Sequence, residues 1–329
     1  MKLGWLLDPL PPRPGAFLAD ASIAAYRWTL EKGVSLPGQE QTLGRASVSL
    51  TTRFQKVLRL AFGATMIFDP EDLYLAIAGF WEPNLTYEVV RTLRPGDTFV
   101  DVGANSGYYT LLASRLVGRT GRVVAIEGSP ATFRRLEQNV ARNGLTNVRC
   151  VQRAVMDRVG EVEFATQVAG ASMKASAVHR DATSSIIRVP CAPLDSLLLA
   201  EEIATLRMLK IDVEGAEPQV FAGAHRILRE APRDLVIACE ASPGWSGVSS
   251  AEQVLAVPLA EGFEALHLAN DYAMAGYLPN APLSPPRHAT PLPSGQIDCI
   301  LARPTAGRTQ ENRLSTVADL YRELQKFDR

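Results

Sequence analysis

The sequence predicts an α/β fold: a doubly wound, largely parallel sheet with helices on both faces. Two features carry that prediction. From position 95 onward, short apolar runs alternate with segments of helical spacing, and glycine-bearing or acidic turns stand directly after the runs. The first strand is Thr98–Val102, entered from the turn Pro95-Gly96-Asp97 and left through the loop 103–107. A helix over Tyr109–Leu116 leads to a second strand, Arg122–Ile126. Ser129-Pro130 starts a capped helix with Phe133, Leu136 and Val140 on one face, and Asn143-Gly144 ends it. Val148–Val155 reads as the third strand and, after a less regular stretch, Met208–Val213 as the fourth. A helix over Glu217–Arg229 places Val220, Phe221, Ala224, Ile227 and Leu228 on its apolar side. Leu235–Cys239, a helix over Ala251–Glu261, and the strands Phe263–Leu268 and Ile297–Ala302 complete a seven-stranded sheet.

Upstream of this pattern, prolines 9, 11, 12 and 14 form a turn, and Phe17–Glu31 carries Leu18, Ile23, Tyr26 and Leu30 at helical spacing. Asp69-Pro70-Glu71 is a helix start leading into Leu73–Phe80. The expected organisation is a mainly helical extension over 1–64, the α/β domain over 65–304 and a C-terminal helix within 305–329. Hydrophobic residues make up 47% of the 329 and charged residues 21%, enough apolar material for a sizeable core and too little charge for disorder. With 34 Lys and Arg against 35 Asp and Glu, and no basic run, nucleic acid is not an expected partner. The longest apolar stretches, such as Leu73–Trp81, fall far short of the roughly 18 residues of a membrane span. Leu3–Leu7 is cut off by Asp8 and Pro9, too short for a signal-peptide core. Cysteines 150, 191, 239 and 299 form no C-x-x-C pair and read as buried thiols of a reducing compartment, so a cytoplasmic location is expected. Monomer and homo-oligomer both stay open.

In a doubly wound sheet ligands bind at the carboxyl ends of the strands, near the switch in strand order. The first strand ends in Asp101-Val102-Gly103-Ala104-Asn105-Ser106-Gly107, where glycines let the backbone turn tightly and approach a ligand. The second ends in Glu127, whose carboxylate can accept hydrogen bonds from both hydroxyls of a ribose. Together they indicate an adenosine-bearing ligand. The dinucleotide pattern G-x-G-x-x-G is not met, because Asn105 and Tyr108 stand where its second and third glycines belong. No phosphate loop for triphosphates is present either. S-adenosylmethionine, which has no phosphate, fits the pattern better.

Asp101–Thr110 (DVGANSGYYT), Ile126–Pro130 (IEGSP), Leu194-Asp195 and Lys210–Glu217 (KIDVEGAE) resemble the FkbM family of S-adenosylmethionine-dependent methyltransferases. Asp69–Pro83 is similar to the family's lead-in, and the likeness runs over roughly 65–302. Ile126 and Gly128 depart from the Phe and Pro more common there, while the acid is kept. The resemblance implies a Rossmann-like methyltransferase sheet. It assigns Asp101, Gly103, Asn105 and Gly107 to the methionine part of the cofactor, Glu127 to the ribose and Ala154 to the neighbourhood of the adenine, with Ser129 and Asp212 also counted among the cofactor-binding residues. It also implies a small-molecule acceptor, a sugar or natural-product hydroxyl, and makes O-methyl transfer the expected reaction. An RNA or protein methyltransferase and a catalytically silent cofactor-binding module remain as alternatives. Neutral charge and the lack of an Asn-Pro-Pro-Tyr type motif after the fourth strand argue against amino groups of bases.

Removing a hydroxyl proton requires a base. Asp212, Glu214, Glu240 and the loop residue His179 are the candidates, Asp212 and Glu214 sharing one side if the strand continues through them. Glu217 also suits a helix N-terminus. Asp212, Glu214 and Glu240 could instead hold a divalent cation, Mg²⁺ rather than zinc because no histidine joins them. His225, His267 and Cys239 read as structural. The proline-rich link Asn270–Gln296, with Tyr272, Tyr277 and His288, is expected to form an acceptor-side lid opposite the loop around Trp245.

Overall fold

The computed structural model describes residues 16–35, 57–67, 78–167, 175–176, 184–270, 274–304 and 314–328. They fall into two compact units: Met1–Tyr87 with Asn270–Leu283 and Asn312–Arg329, and Glu88–Ala269 with Ser284–Glu311. The expected boundaries near 64 and 304 differ from these because segments far apart in sequence pack together, which contiguous reading does not reveal.

In the first unit the helix Ala16–Lys32 forms as its spacing predicts, with Ile23, Tyr26 and Leu30 buried. β1 (Val57–Arg59) and β2 (Thr65–Ile67) make an antiparallel hairpin. The helix Val317–Gln325 is capped reciprocally: Thr316 Oγ accepts from Asp319 N–H at 3.3 Å, and Asp319 Oδ2 accepts from Thr316 N–H at 3.0 Å. Tyr277, expected to line an acceptor pocket, is instead buried in this unit. Its ring stacks on Phe80 at 5.9 Å, its carbonyl accepts from Tyr26 Oη at 3.0 Å, and its hydroxyl accepts from Glu82 N–H at 2.9 Å. An aromatic ring with a polar tip is buried readily where that tip is satisfied. Most of the helix expected from Asp69 lies outside the described residues, as do His179 and Tyr272.

The second unit holds the doubly wound sheet. Its strands are β3 (Thr98–Val102), β4 (Arg122–Glu127), β5 (Val148–Gln152), β10 (Leu206–Ile211), β11 (Val236–Ala241), β12 (Glu264–Leu268), β13 (Arg287–His288) and β14 (Ile297–Ala302). Their order is β13-β12-β14-β11-β10-β3-β4-β5. This is the predicted seven-stranded sheet with a two-residue strand added at one edge. β14 runs antiparallel to β11 and β12, and β3, β4, β5, β10 and β11 are mutually parallel. All five residues of β3 are buried, as a strand covered by helices on both faces requires. The chain winds outward from β3 through β4 to β5 and then returns to β10 on the other side of β3, so the switch point lies between β3 and β10.

Three expectations change. The third strand breaks at Arg153, and β6 (Ala154–Val155) leaves the main sheet to pair with β9 (Ser184–Ala192). With β7 (Gly160–Gln167) and β8 (Ala175–Ser176) they form a separate four-stranded sheet, order β6-β9-β7-β8, where the sequence shows only an irregular stretch. Second, the helix predicted over Glu217–Arg229 is two short helices, Glu217–Ala222 and His225–Glu230. Gly223 is the C-cap of the first, at a place where a Cβ would meet Met156 O at 2.3 Å, and Asp195 caps the second by accepting the N–H groups of Arg226 (2.8 Å) and Ile227 (2.9 Å). Third, Ala251–Glu261 likewise divides into Ala251–Val254 and Ala256–Ala260.

All four cysteines are free, Cys150 half-buried and the others buried. Burial pushes the Cys239 thiol far above its usual value, in keeping with a packing role. Leu292 of the proline-rich link is buried in the core of the main sheet, and its N–H is taken by Glu252 at 2.8 Å. Among the described residues no helix is long and apolar enough to cross a membrane.

Candidate active site

A cleft opens at the carboxyl ends of β3, β4 and β10, at the switch point. Gly103 and Asn105 form its floor after β3, and Glu127 and Gly128 follow β4. Arg153–Met156 follow β5, Asp212, Val213, Glu214 and Ala216 follow β10, and Phe164 reaches in from β7.

The floor is tightly specified. Gly103 has φ +75°, and a Cβ there would lie 1.8 Å from the carbonyl oxygen of Asp212. Only glycine lets the exits of β3 and β10 meet so closely. Gly103 and Ala104 N–H both donate to Ile126 O at 3.0 Å, and Asn139 Nδ2 supports the loop from below by donating to Ser106 O at 2.8 Å. Asn105 takes a left-handed conformation, φ 50°. Its N–H donates to Glu127 Oε2 at 3.0 Å, while Ser129 N–H donates to Glu127 Oε1 at 2.8 Å. Each carboxylate oxygen is thereby fixed through one lone pair and keeps the other for a ligand. Burial pushes the Glu127 pKa up to about 7, against the pull of those two amide hydrogen bonds.

Asp101, Gly107 and Ser129, expected at the cofactor, stand behind the lining rather than along it. Asp101 is fully buried; it accepts from Thr110 Oγ1 at 2.7 Å, and Lys210 Nζ lies 3.9 Å from its other oxygen. Burial raises its pKa, with Lys210 acting in the opposite sense. Gly107, φ +98°, turns the chain into the helix Tyr108–Val117. Ser129 caps the helix Pro130–Arg142, accepting from Thr132 N–H at 3.5 Å. Gly103, Asn105, Glu127 and Ala154 line the cleft as expected.

Asp212 and Glu214 also reach the lining, although not through strand alternation. β10 ends at Ile211, and Glu214 is turned by its left-handed φ of 54°. Lys210 Nζ donates to Asp212 Oδ2 at 3.1 Å and lies 5.3 Å from the centre of the Tyr109 ring, so a buried cation orients the carboxylate from within the sheet. Glu217 accepts from Gly215 N–H (3.0 Å) and Val213 N–H (3.4 Å), bracing the loop that carries Glu214. Burial pushes its pKa up to about 7. Glu240 is absent from the lining; on β11 it is the register partner of Asp298 on β14, and it accepts from Ser242 Oγ at 3.2 Å. Burial and the carboxylates of Asp212, Asp298 and Glu214 push its pKa up to about 9. Both influences favour the protonated form of Glu240. Among the described residues no group of three or more His, Cys, Asp or Glu side chains is disposed to hold a metal ion. None of the described residues of the 270–296 link lines the cleft.

Sequence reasoning missed Arg153, Met156, Thr132 and Phe164. The first two follow the third strand, where the strand-end rule could have found them. Phe164 carries no such signal, since its sheet was not foreseen.

The methyltransferase FkbM domain family matches residues 101–245, the span from Asp101 into the short helix Pro243–Ser246 after β11. The chain carries an FkbM methyltransferase domain. Likeness to individual proteins is partial. The 31-O-demethyl-FK506 methyltransferase FkbM of Streptomyces tacrolimicus is 31% identical over 161 residues, covering 40% of this chain and 60% of that protein. The hexuronic acid methyltransferase AglP of Haloferax volcanii is 26% identical over 146 residues, 43% of this chain and 57% of that one. The chain thus spans less than two thirds of the length of these curated relatives. A crystal structure of methyltransferase FkbM from Methylobacillus flagellatus aligns over 87% of this chain and 60% of its own, at 17% identity and a TM-score of 0.35.

Proposed function

We propose that this protein is an S-adenosylmethionine-dependent O-methyltransferase acting on a hydroxyl group of a small molecule, a sugar or natural-product intermediate. The observation that carries the cofactor assignment is Glu127: a carboxylate in the cleft lining, fixed by the amides of Asn105 and Ser129, one on each oxygen, with acceptor capacity left on both. That arrangement fits a ribose diol, with the cleft lining at Gly103 and Asn105 beside it as the place for the methionine portion. When bound, the cofactor supplies a methyl group on a sulfonium, already activated for in-line displacement. The residues must then align the acceptor and take up its proton. Asp212, on the cleft wall and held by Lys210, is the proposed base, with Glu214 lining the same end. The acceptor class is supported by FkbM and AglP, whose names state 31-O-demethyl-FK506 and hexuronic acid. Four unpaired cysteines are in keeping with a cytoplasmic setting.

Calorimetric titration with S-adenosylhomocysteine is expected to give micromolar binding. Glu127→Ala is expected to weaken it by some 30–150-fold, about 2–3 kcal/mol for a charge-assisted two-point contact. Unchanged affinity in a folded Glu127→Ala protein rules the assignment out. A screen of hydroxylated acceptors, read by mass spectrometry as the gain of one CH₂ group, tests the reaction.

The pH dependence has a definite sign. Ribose hydroxyls donate to the ionised carboxylate, so binding favours deprotonated Glu127. With a pKa of about 7, affinity should be fully present at alkaline pH and fall about tenfold between pH 8 and pH 6. Glu127→Gln should bind more weakly at pH 8 and lose that slope. A slope retained in Glu127→Gln would assign it to another group.

A further inference from the structure

The ring of Phe164 occupies the space that a side chain at position 128 would take. A Cβ on Gly128 would stand 2.8 Å from Phe164 Cζ, 3.1 Å from Cε1 and 3.4 Å from the Cα of Ala154. Gly128 directly follows Glu127, and Ala154 opens β6, so the ring lies on the β4–β5 side of the cleft. Asp212 and Glu214 follow β10, on the far side of β3 from β4 and β5. Phe164 is 9% exposed and belongs to the apolar cluster of the small sheet with Met156, Val189, Cys191 and Ala216, yet it also lines the cleft. Its position is therefore held from behind by packing while the ring contributes to a ligand-facing wall. The backbone of Gly128 has a negative or extended φ, so no turn demands glycine there. What excludes a side chain is the ring.

We propose that Phe164 is the apolar plate against which the nucleobase of the adenosine ligand packs, and that Gly128 is the position that admits it. The inference rests on the cofactor reading above. A purine attached to a ribose held by Glu127 needs a flat apolar surface close to that carboxylate, and aromatic rings stack on bases of any sequence or substitution through their faces. The plate is supplied by the separate four-stranded sheet rather than by the strand-end loops, so that sheet has a part in cofactor binding as well as in covering one end of the cleft.

The test is a titration with S-adenosylhomocysteine of the full chain and three variants: Phe164→Leu, Gly128→Ala and the double variant. Phe164→Leu keeps apolar bulk and removes the flat ring; it is expected to weaken binding at least about tenfold. Gly128→Ala should weaken binding severalfold by pushing the ring off its seat, and should add nothing once the ring is gone. Unchanged affinity in Phe164→Leu overturns the proposal, and so does a Gly128→Ala effect that persists undiminished in the double variant. If Phe164→Leu does not fold, Gly128→Ala with Phe164→Tyr, which keeps the ring, carries the test: full affinity in Gly128→Ala overturns it. Absence of binding by the unmodified protein would instead overturn the cofactor reading itself.

Discussion

Asp212→Asn is expected to slow methyl transfer by about a hundred- to ten-thousandfold while leaving affinity for S-adenosylhomocysteine within a few-fold. The amide keeps the shape of the carboxylate and its place on the cleft wall, but it cannot take a proton from an acceptor hydroxyl. The carboxylate lies beyond the end of β10, 3.1 Å from the buried Lys210 ammonium, which orients it from within the sheet. Glu214 shares the wall, whereas Glu240 is not part of the lining and burial favours its protonated form. The measurement is turnover at saturating cofactor with the acceptor identified by the mass-spectrometric screen. If cofactor affinity collapses and turnover at saturation is kept, Asp212 is a binding residue and the base lies elsewhere. Activity that resists EDTA would separate this route from one using a divalent cation.

Gly103→Ala should cost about 4 kcal/mol or more of folding stability, or prevent accumulation of soluble protein. Two penalties combine there. The left-handed backbone, φ +75°, is strained for any side chain, and the added Cβ would fall 1.8 Å from backbone carbonyl oxygen rather than from a side chain that could swing away. Asp212 N–H donates to Val102 O at 3.1 Å, so relieving the clash separates the exits of β3 and β10 and opens the cleft floor. Gly144→Ala is the control: φ is +60° there but nothing lies within 4 Å, so only the backbone penalty of about 1 kcal/mol remains. Denaturant unfolding of the two variants isolates the steric part. Equal costs would mean that the two strand exits do not approach each other as described.

The doubly wound class, the seven strands and the loop–acid pair at the first two strand ends are legible in the sequence because each rests on local chemistry. Buried parallel strands such as Thr98–Val102 must be apolar throughout, a capped helix start must carry a residue like Ser129, and a turn at φ +75° must be glycine. Those constraints act within a few residues, so one stretch of chain displays them. Side-chain direction is another matter. Asp101 and Asp212 both follow apolar strand residues, yet one is buried against Thr110 and Lys210 and the other faces the cleft. Only the pairing of β3 with β10, which sets Asp101 opposite Lys210, separates them. The same holds for Tyr277, whose aromatic ring and hydroxyl suit a pocket or a core equally well and which is buried against Phe80, Tyr26 and Glu82. Phe164 reaches the cleft through a sheet whose strands are joined by pairing between residues up to thirty-seven positions apart, as in Ala154 and Cys191. Local propensity determined what the elements are and where glycine and acid must stand. Long-range pairing decided which side chains face the ligand, because burial depends on neighbours that the chain brings together only when it folds.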